Sequence, residues 1–241
     1  MDRNSNAYTF IFAIIMVAVV ASALAFAATN LQPAQAENVK QEKMQNILAT
    51  VGIETTRDSA EALFSKYIVD QVALDAEGQE RTDVDAFTVD LKKELKRPVE
   101  EQAYPLYVAD VEGAKYYIVP LRGKGLWDAI WGYVALKDDV NTIKGAVFDH
   151  KGETPGLGAE ITQNWFKQRF DDEKIMDESG NFIGVSVAKG YQGGDNKDDN
   201  AVDAIAGATI TGDGVTDMIS ERLQRYLPYF KEKTSVKVAM Q

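Results

Sequence analysis

The chain has 241 residues, 45% of them hydrophobic, and a formal net charge of −11, so it can form one or two compact domains. Such an acidic chain lacks the positive surface that nucleic acid requires, and we expect no nucleic-acid partner. The absence of cysteine excludes disulfides, thiol catalysis and cysteine-ligated iron–sulfur clusters, and a single histidine, His150, excludes a histidine-rich metal site.

The first predicted element is a membrane anchor. Residues 8–28 carry no charge, and at about 1.5 Å per residue they span roughly 30 Å, the thickness of one hydrocarbon core. Arg3 and the α-amino group precede them, so the positive-inside rule places the rest of the chain outside the cytoplasm. A cleaved signal peptide is the alternative, because residues 25–27 and 34–36 fit the small-x-small cleavage pattern. The length of the apolar run favours a retained anchor.

Two helices are predicted after the anchor. Apolar spacing predicts a helix over residues 37–51 that stops at Gly52, and a second over residues 59–72 with Ser59 as its N-cap. Residues 29–37 are expected to act as a hinge between the anchor and these helices. Residues 83–97 are rich in charge, and their secondary structure is ambiguous from the sequence. The proline that follows ends this segment.

The pattern changes to strands at residue 104. The predicted strands are residues 106–109, 115–121, 131–136, 142–148 and 182–187. A helix is predicted over residues 161–170 with Ile161, Trp165, Phe166 and Phe170 buried. Residues 122–125 and 190–200 are expected to be loops. Clustered strands with flanking helices indicate an α+β fold with an antiparallel sheet.

We therefore predict three regions: an anchor and linker over residues 1–36, a helical lead-in over residues 37–103, and a ligand-binding domain over residues 104–241. The first region would be a single transmembrane helix. The last would contain the antiparallel sheet flanked by helices.

A small-residue turn that leads into a helix lies near the C-terminal end, in the segment Asp203-Ala204-Ile205-Ala206-Gly207-Ala208-Thr209. The helical pattern after it has Thr211 and Asp213 as N-cap-type residues. Free N–H groups and partial positive charge at such a helix terminus suit a phosphate. Spacing alone is more typical of an ordinary capped helix after a tight turn.

A second glycine-rich segment joins a predicted strand to a predicted helix. It reads His150-Lys151-Gly152-Glu153-Thr154-Pro155-Gly156-Leu157-Gly158-Ala159-Glu160. Its backbone freedom would let the chain lie against a planar ligand or a phosphate and donate N–H groups to it. A simple connection that turns the chain is the alternative, and composition alone favours it.

These segments resemble those of a known family. Residues 203–209 resemble the Asp-x-x-Ser/Thr-Gly-Ala-Thr motif of the covalent flavin-binding subunits of bacterial redox-driven sodium pumps, with Ala206 where that family usually has Ser or Thr. Glu-Thr-Pro-Gly-Leu-Gly at residues 153–158 and Gly-Leu-Trp at residues 125–127 resemble the rest of the signature of their FMN-binding domain. The chain is more similar to the C-subunit family of sodium-translocating NADH:quinone oxidoreductases than to the related FMN-bearing subunit of the Rnf complex.

The resemblance implies an FMN joined by a phosphoester bond to Thr209, made by a separate flavin transferase. It implies an electron carrier, not the NADH-oxidising subunit, that relays electrons towards quinone among other subunits of a translocase. The implied location is the inner membrane, crossed once, with the C-terminal domain on the periplasmic side. The predicted cofactor-binding residues are Thr209, Gly207, Ala208, Thr211, Glu153, Thr154, Gly156, Leu157, Gly158, Leu126 and Trp127.

No catalytic side chain and no metal site are predicted. His150 is interpreted as structural, and a flavin that only passes electrons needs no acid–base pair from Glu153 and Glu160. Asp198, Asp199 and Asp203 are interpreted as a solvated acidic loop, not a cation site. Two alternatives remain open: a membrane-anchored binding protein without redox chemistry, and a flavin-bearing extracellular reductase that works outside a pump.

Overall fold

The computed structural model describes residues 5–233, and the chain divides between Lys43 and Met44 into two compact units. Arg3, on which the predicted orientation of the anchor depends, lies outside the described residues.

The first element, α1, is one helix over Asn6–Ala49. Among the described residues it is the only helix long and apolar enough to cross a membrane, and its apolar stretch is exposed. Residues 29–37 were expected to form a flexible hinge, and this prediction is wrong because the segment is helical. The predicted helix over residues 37–51 is the end of the same helix. Pro33 alone interrupts a segment otherwise rich in residues such as Gln, Ala and Glu, which favour helix.

The helix predicted over residues 59–72 is shorter in the structure. Helix α2 covers Arg57–Tyr67, and strand β1 covers Ile68–Leu74. The N-cap is Thr56, whose N–H donates to Oγ of Ser59 at 3.3 Å, so the prediction of Ser59 as N-cap is wrong. Residues 68–74 pair with the next strand, and this long-range ladder overrides their local helical spacing.

The ambiguous segment 83–97 contains a 3₁₀ turn at Ala86–Thr88 and the short helix α3 at Leu91–Glu94. An aspartate begins each of them, Asp85 for the turn and Asp90 for the helix, and its carboxylate accepts a backbone N–H.

Five strands form one antiparallel sheet in the order β1-β2-β3-β4-β5, which confirms the predicted α+β fold. The further strands are β2 at Tyr104–Val111, β3 at Ala114–Lys124, β4 at Ala129–Lys137 and β5 at Ile143–His150. The loop expected at residues 122–125 is mostly strand, because Arg122 and Lys124 pair with Trp131 and Ala129 of β4. Strand β1 precedes residue 104 and yet belongs to the same sheet.

Both faces of the sheet are covered. On one face Tyr107 and Ile118 pack with the end of α1 and with α2. On the other, residues such as Val119 and Val134 pack with α5, which covers Thr209–Gln224, and with α6, which covers Leu227–Lys233. Burial on two faces explains why the strands appear in the sequence as nearly continuous apolar runs.

The helix predicted over residues 161–170 is broken into shorter pieces. They are a 3₁₀ turn at Gly158–Thr162, helix α4 at Asn164–Lys167 and a 3₁₀ turn at Gln168–Phe170. Three of the four predicted core residues, Ile161, Phe166 and Phe170, are buried. Trp165 is 45% exposed, because the breaks between the pieces change the direction in which side chains point.

Two short strands, β6 at Ser186–Ala188 and β7 at Ala201–Asp203, form a parallel pair. The strand predicted over residues 182–187 overlaps β6 only at its end, and residues 190–200 form a loop as predicted. Helix α5 follows, and its N-cap is Ala208. Thr211 and Asp213, predicted as N-cap residues, therefore lie inside the helix.

Candidate functional site

Three segments meet around a pocket of about 200 Å³ at the N-terminus of α5. They are the loop after β3, the loop after β5 and the turn between β7 and α5. The pocket is lined by Leu126, Glu153, Thr154, Leu157, Gly158, Gly207, Ala208, Thr209, Ile210 and Thr211. All the residues predicted to bind a cofactor are in this lining except Gly156 and Trp127, and Ile210 is an addition that the sequence did not indicate.

The two threonines of the α5 motif have different environments. Thr209 is the first residue of the helix and is exposed to solvent. Thr211 is 1% exposed, and its hydroxyl donates to Oε2 of Glu153 at 2.7 Å. Of the two hydroxyls that the motif supplies, only that of Thr209 belongs to a residue that solvent reaches.

The N-terminus of α5 has no side-chain cap. Ala208, at the N-cap position, has no polar side-chain atom, and the first backbone bond of the helix runs from the N–H of Gly212 to the carbonyl of Ala208 at 2.9 Å. Within residues 5–233, the N–H groups of Thr209, Ile210 and Thr211 have no protein acceptor. Three free donors at the positive end of a helix are able to bind an anion.

Gly207 makes the turn before α5 possible. Its φ is +77°, a backbone conformation that residues other than glycine rarely adopt. A Cβ at this position would also lie 2.8 Å from Cδ2 of Leu157 in the loop after β5. The exposed end of the Leu157 side chain can shift to admit a Cβ, so the positive φ is the main reason for glycine here.

A buried carboxylate lies at the back of the pocket. Glu153 is 4% exposed, and its Oε1 accepts the backbone N–H of Trp127 at 3.0 Å while its Oε2 accepts from Thr211. The N–H of Glu153 donates to Nδ1 of His150 at 3.1 Å, so the single histidine has a partner inside the loop. Glu160 accepts instead from the N–H of Gly156 at 3.0 Å, so the two glutamates have separate partners.

Large apolar side chains surround the pocket. Leu126, Trp127, Leu157 and Ile210 are between 40% and 68% exposed. The indole N–H of Trp127 donates to Oγ1 of Thr154 at 3.1 Å, which fixes the ring beside the pocket although Trp127 does not line it. A group of exposed apolar side chains around a concave site is typical of a ligand or partner surface.

Arg169 does not line the pocket, but it contacts the residue before the turn that leads into α5, and the sequence did not indicate this contact. Its guanidinium donates to the carbonyl of Asp203 at 2.6 Å and also lies 3.7 Å from the carboxylate of that residue. It lies over the ring of Trp165, 4.7 Å from the ring centroid. Arg169 thus holds the start of the turn before α5, and no local pattern links residues 34 positions apart.

Two of the three acidic residues considered in the sequence analysis have protein partners for their carboxylates. Asp199 accepts from the hydroxyl of Tyr191 at 2.7 Å, and Asp203 faces Arg169. Between residues 5 and 233 no group of three or more His, Cys, Asp or Glu side chains is placed to hold a metal ion.

Comparison with known proteins identifies the family. Residues 125–224, which include all three segments of the pocket, match the FMN-binding domain family. The chain is 31% identical to the C subunit of the Na(+)-translocating NADH-quinone reductase of Pseudomonas aeruginosa over 239 residues, covering 90% of this chain and 91% of that one. It is 29% identical to the protein of the same name from Vibrio anguillarum, covering 89% of each chain.

A crystal structure extends the likeness to three dimensions. The C subunit of the Na(+)-translocating NADH-quinone reductase of Parabacteroides distasonis is similar with a TM-score of 0.75 and 37% identity, covering 83% of this chain and 96% of that one. Sequence and fold therefore agree over nearly the whole chain: it belongs to the C-subunit family of Na(+)-translocating NADH-quinone reductases.

Proposed function

We propose that this chain is the electron-carrying subunit of a Na(+)-translocating NADH-quinone reductase, and that its carrier is FMN joined by a phosphoester bond to Oγ1 of Thr209. The observation that carries this proposal is the position of Thr209. It is an exposed hydroxyl residue that lines the pocket, begins a helix without a cap and lies inside the match to the FMN-binding domain.

The first turn of α5 fits the phosphate of FMN. A phosphate on Thr209 would lie beside the free N–H groups of Thr209, Ile210 and Thr211, which supply hydrogen bonds and positive partial charge. The hydroxyl of Thr211 already donates to Glu153, which makes Thr211 the weaker candidate for the attachment site.

The apolar rim fits the ring of FMN. At about 200 Å³ the pocket is smaller than the roughly 300–1,000 Å³ that encloses a drug-sized ligand. The ring would therefore extend over Leu126, Trp127 and Leu157, with Thr154 and the glycines of its loop beside it. Bound FMN supplies reversible uptake of electrons, and a ring that stays partly exposed can approach a redox partner.

The remaining parts of the chain suit a member of a membrane complex. Helix α1 would anchor the chain in the inner membrane, with the flavin domain on the periplasmic side and other subunits of the reductase as neighbours. A flavin transferase would act on the domain after export.

The periplasmic orientation of the domain can be tested with a fusion. Alkaline phosphatase fused after Gln241 is expected to be active. An inactive phosphatase, with a fluorescent cytoplasmic reporter at the same position, would place the domain inside.

The function is tested in the assembled complex. Thr209→Val should abolish the flavin fluorescence of this chain on a denaturing gel and stop NADH-driven quinone reduction. Oxidation of NADH by an artificial acceptor at another subunit should continue. The control is Thr82→Val, which removes an exposed hydroxyl far from the pocket in sequence. If the unmutated chain holds no flavin although the transferase is active, the chain is an anchored binding protein instead.

A further inference from the structure

The carboxylate of Glu153 connects all three segments that form the pocket. Glu153 belongs to the loop after β5, its Oε1 accepts from the backbone of Trp127 in the loop after β3, and its Oε2 accepts from Thr211 in the first turn of α5. We call these three residues the Glu153 network. The two hydrogen bonds have ordinary lengths of 3.0 and 2.7 Å, and their acceptor is nearly inaccessible to solvent.

The backbone around the network leaves room for this carboxylate. A Cβ at Gly125 would lie 2.5 Å from Oε1 of Glu153, and a Cβ at Gly158 would collide with Oε2 of Glu153 and with Oγ1 of Thr211. Two glycines of the motifs therefore border the carboxylate on two sides. They can be explained by close packing against Glu153, without any contact to a ligand.

The chemistry of Glu153 argues against direct contact with a phosphate. A carboxylate only accepts hydrogen bonds, and its negative charge repels a phosphate. Each of its oxygens already has a donor, which offsets the cost of burying the charge. The free N–H groups of α5 are the donors that remain for an anion.

We propose that Glu153 is a positioning residue. Through Thr211 it fixes the first turn of α5, and with it Thr209, and through the backbone of Trp127 it fixes the loop after β3 at the rim of the pocket. The inference rests on the proposed function, because it concerns the same site. It changes the role of Glu153 and Thr211 from contacts of the cofactor to supports of the residues that contact it.

The first pair of variants tests the bond between the helix and the loop. Thr211→Val keeps the shape of the side chain but leaves Oε2 of Glu153 without its donor, whereas Thr211→Ser keeps the hydroxyl. We expect the rate at which flavin transferase attaches FMN to fall about tenfold or more in Thr211→Val and to stay within about twofold of the unmutated rate in Thr211→Ser. The hydrogen bond lost in Thr211→Val has a charged acceptor, and such bonds are stronger than bonds between neutral groups.

A readout on the flavin-free chain separates positioning from attachment. Hydrogen exchange of the Trp127 amide should be faster in Thr211→Val than in the unmutated chain, because the carboxylate that accepts it has lost its second anchor. Thr211→Ser should restore the protection. Equal attachment rates and equal protection in Thr211→Val would overturn the proposal.

Glu153→Gln tests whether the geometry of the side chain or its negative charge matters for attachment of FMN. It also replaces Thr211→Val as the test variant if Thr211→Val does not fold. The amide oxygen can accept from Trp127 and the amide NH₂ can donate to Oγ1 of Thr211, so the connection survives without the charge. Attachment within about threefold of the unmutated rate is expected. Loss of attachment in a folded Glu153→Gln chain would show that the charge acts directly and would contradict a positioning role. If the unmutated chain takes no FMN, the proposed function fails, and protection of the Trp127 amide still tests the network.

Discussion

At the scale of single residues, the turn before α5 depends on Gly207. Because its φ is +77° and its missing Cβ leaves space for Leu157, Gly207→Ala should lower the free energy of unfolding by about 1–2 kcal/mol. Attachment of FMN should also become slower, because the turn at Gly207 positions Thr209, two residues further along the chain. Urea unfolding measures the first effect. The matched control is Gly152→Ala, where nothing lies within 4 Å of the added Cβ, and equal losses in both variants would contradict this account.

Single residues of the site differ in whether local sequence patterns can locate them. The glycine-rich segments and the small-residue turn could be located from the sequence, because turns and helix starts have local signals. Spacing could not separate Thr209 from Thr211, since the difference lies in a hydrogen bond to Glu153, 58 positions earlier. Arg169 and the exposure of Trp165 likewise depend on contacts that only the folded chain creates.

At the scale of elements, the first turn of α5 should gain stability from the phosphate. A phosphate at an uncapped N-terminus supplies acceptors for the free N–H groups and opposes the helix dipole, which is worth about 1 kcal/mol. For a chain of this size we expect the melting temperature to rise by about 2–4 °C on attachment of FMN. The comparison is the unmutated chain before and after treatment with flavin transferase.

The control for this capping effect is Thr209→Val with free FMN added. Free FMN lacks the phosphoester bond to the helix, so we expect a smaller rise in melting temperature. An equal rise with free FMN would mean that the phosphoester bond to Thr209 adds nothing to the stability of the chain.

The elements were predictable to different degrees. Strands β2 to β5 and the helical pattern after residue 209 were located from apolar periodicity, because their side chains have strong local patterns. The sequence pattern assigns residues 68–72 of strand β1 to the end of a helix, since Ile68–Leu74 is strand only through its pairing with β2. The prediction of a loop at residues 122–125 is also wrong. The pairing with β4 continues through residues 122–124 and makes them strand. The partner with which a strand pairs leaves no mark in the local sequence pattern of that strand.

At the scale of the whole molecule, Glu173 should make stability depend on pH. It is 1% exposed, its Oε1 lies 3.0 Å from Nζ of Lys197, and its Oε2 has no hydrogen-bond partner within residues 5–233. Burial raises the pKa of Glu173 above its usual value, and the attraction of Lys197 does not offset this. A raised folded-state pKa gives stability that is complete below the unfolded pKa and is lost as pH rises through the folded pKa.

Glu173→Gln should remove this contribution. The variant should show a flatter dependence of unfolding free energy on pH and a smaller loss of stability between mildly acidic and neutral pH than the unmutated chain. Urea unfolding at a series of pH values measures it, with the exposed Glu178→Gln as control. A steeper dependence in Glu173→Gln would show that the ion pair with Lys197 outweighs burial.

The organisation of the whole chain is suited to the proposed role of an electron carrier. The fold covers both faces of one sheet and places three connecting segments at the N-terminus of α5, where a ligand can be held by backbone groups and still reach the surface. The apolar N-terminal part of α1 could be located from composition alone, because a long stretch without charge is the local signal of a candidate membrane span.

The central claim is that FMN is attached to Thr209, and peptide mass spectrometry tests it most directly. The chain would be produced together with a flavin transferase, exported, digested and fragmented. We expect the peptide that contains Thr209 to be heavier by FMN less one water, with fragment ions that place the addition on Thr209 and not on Thr211. An unmodified peptide from a preparation with active transferase, or an addition on Thr211, would contradict the account.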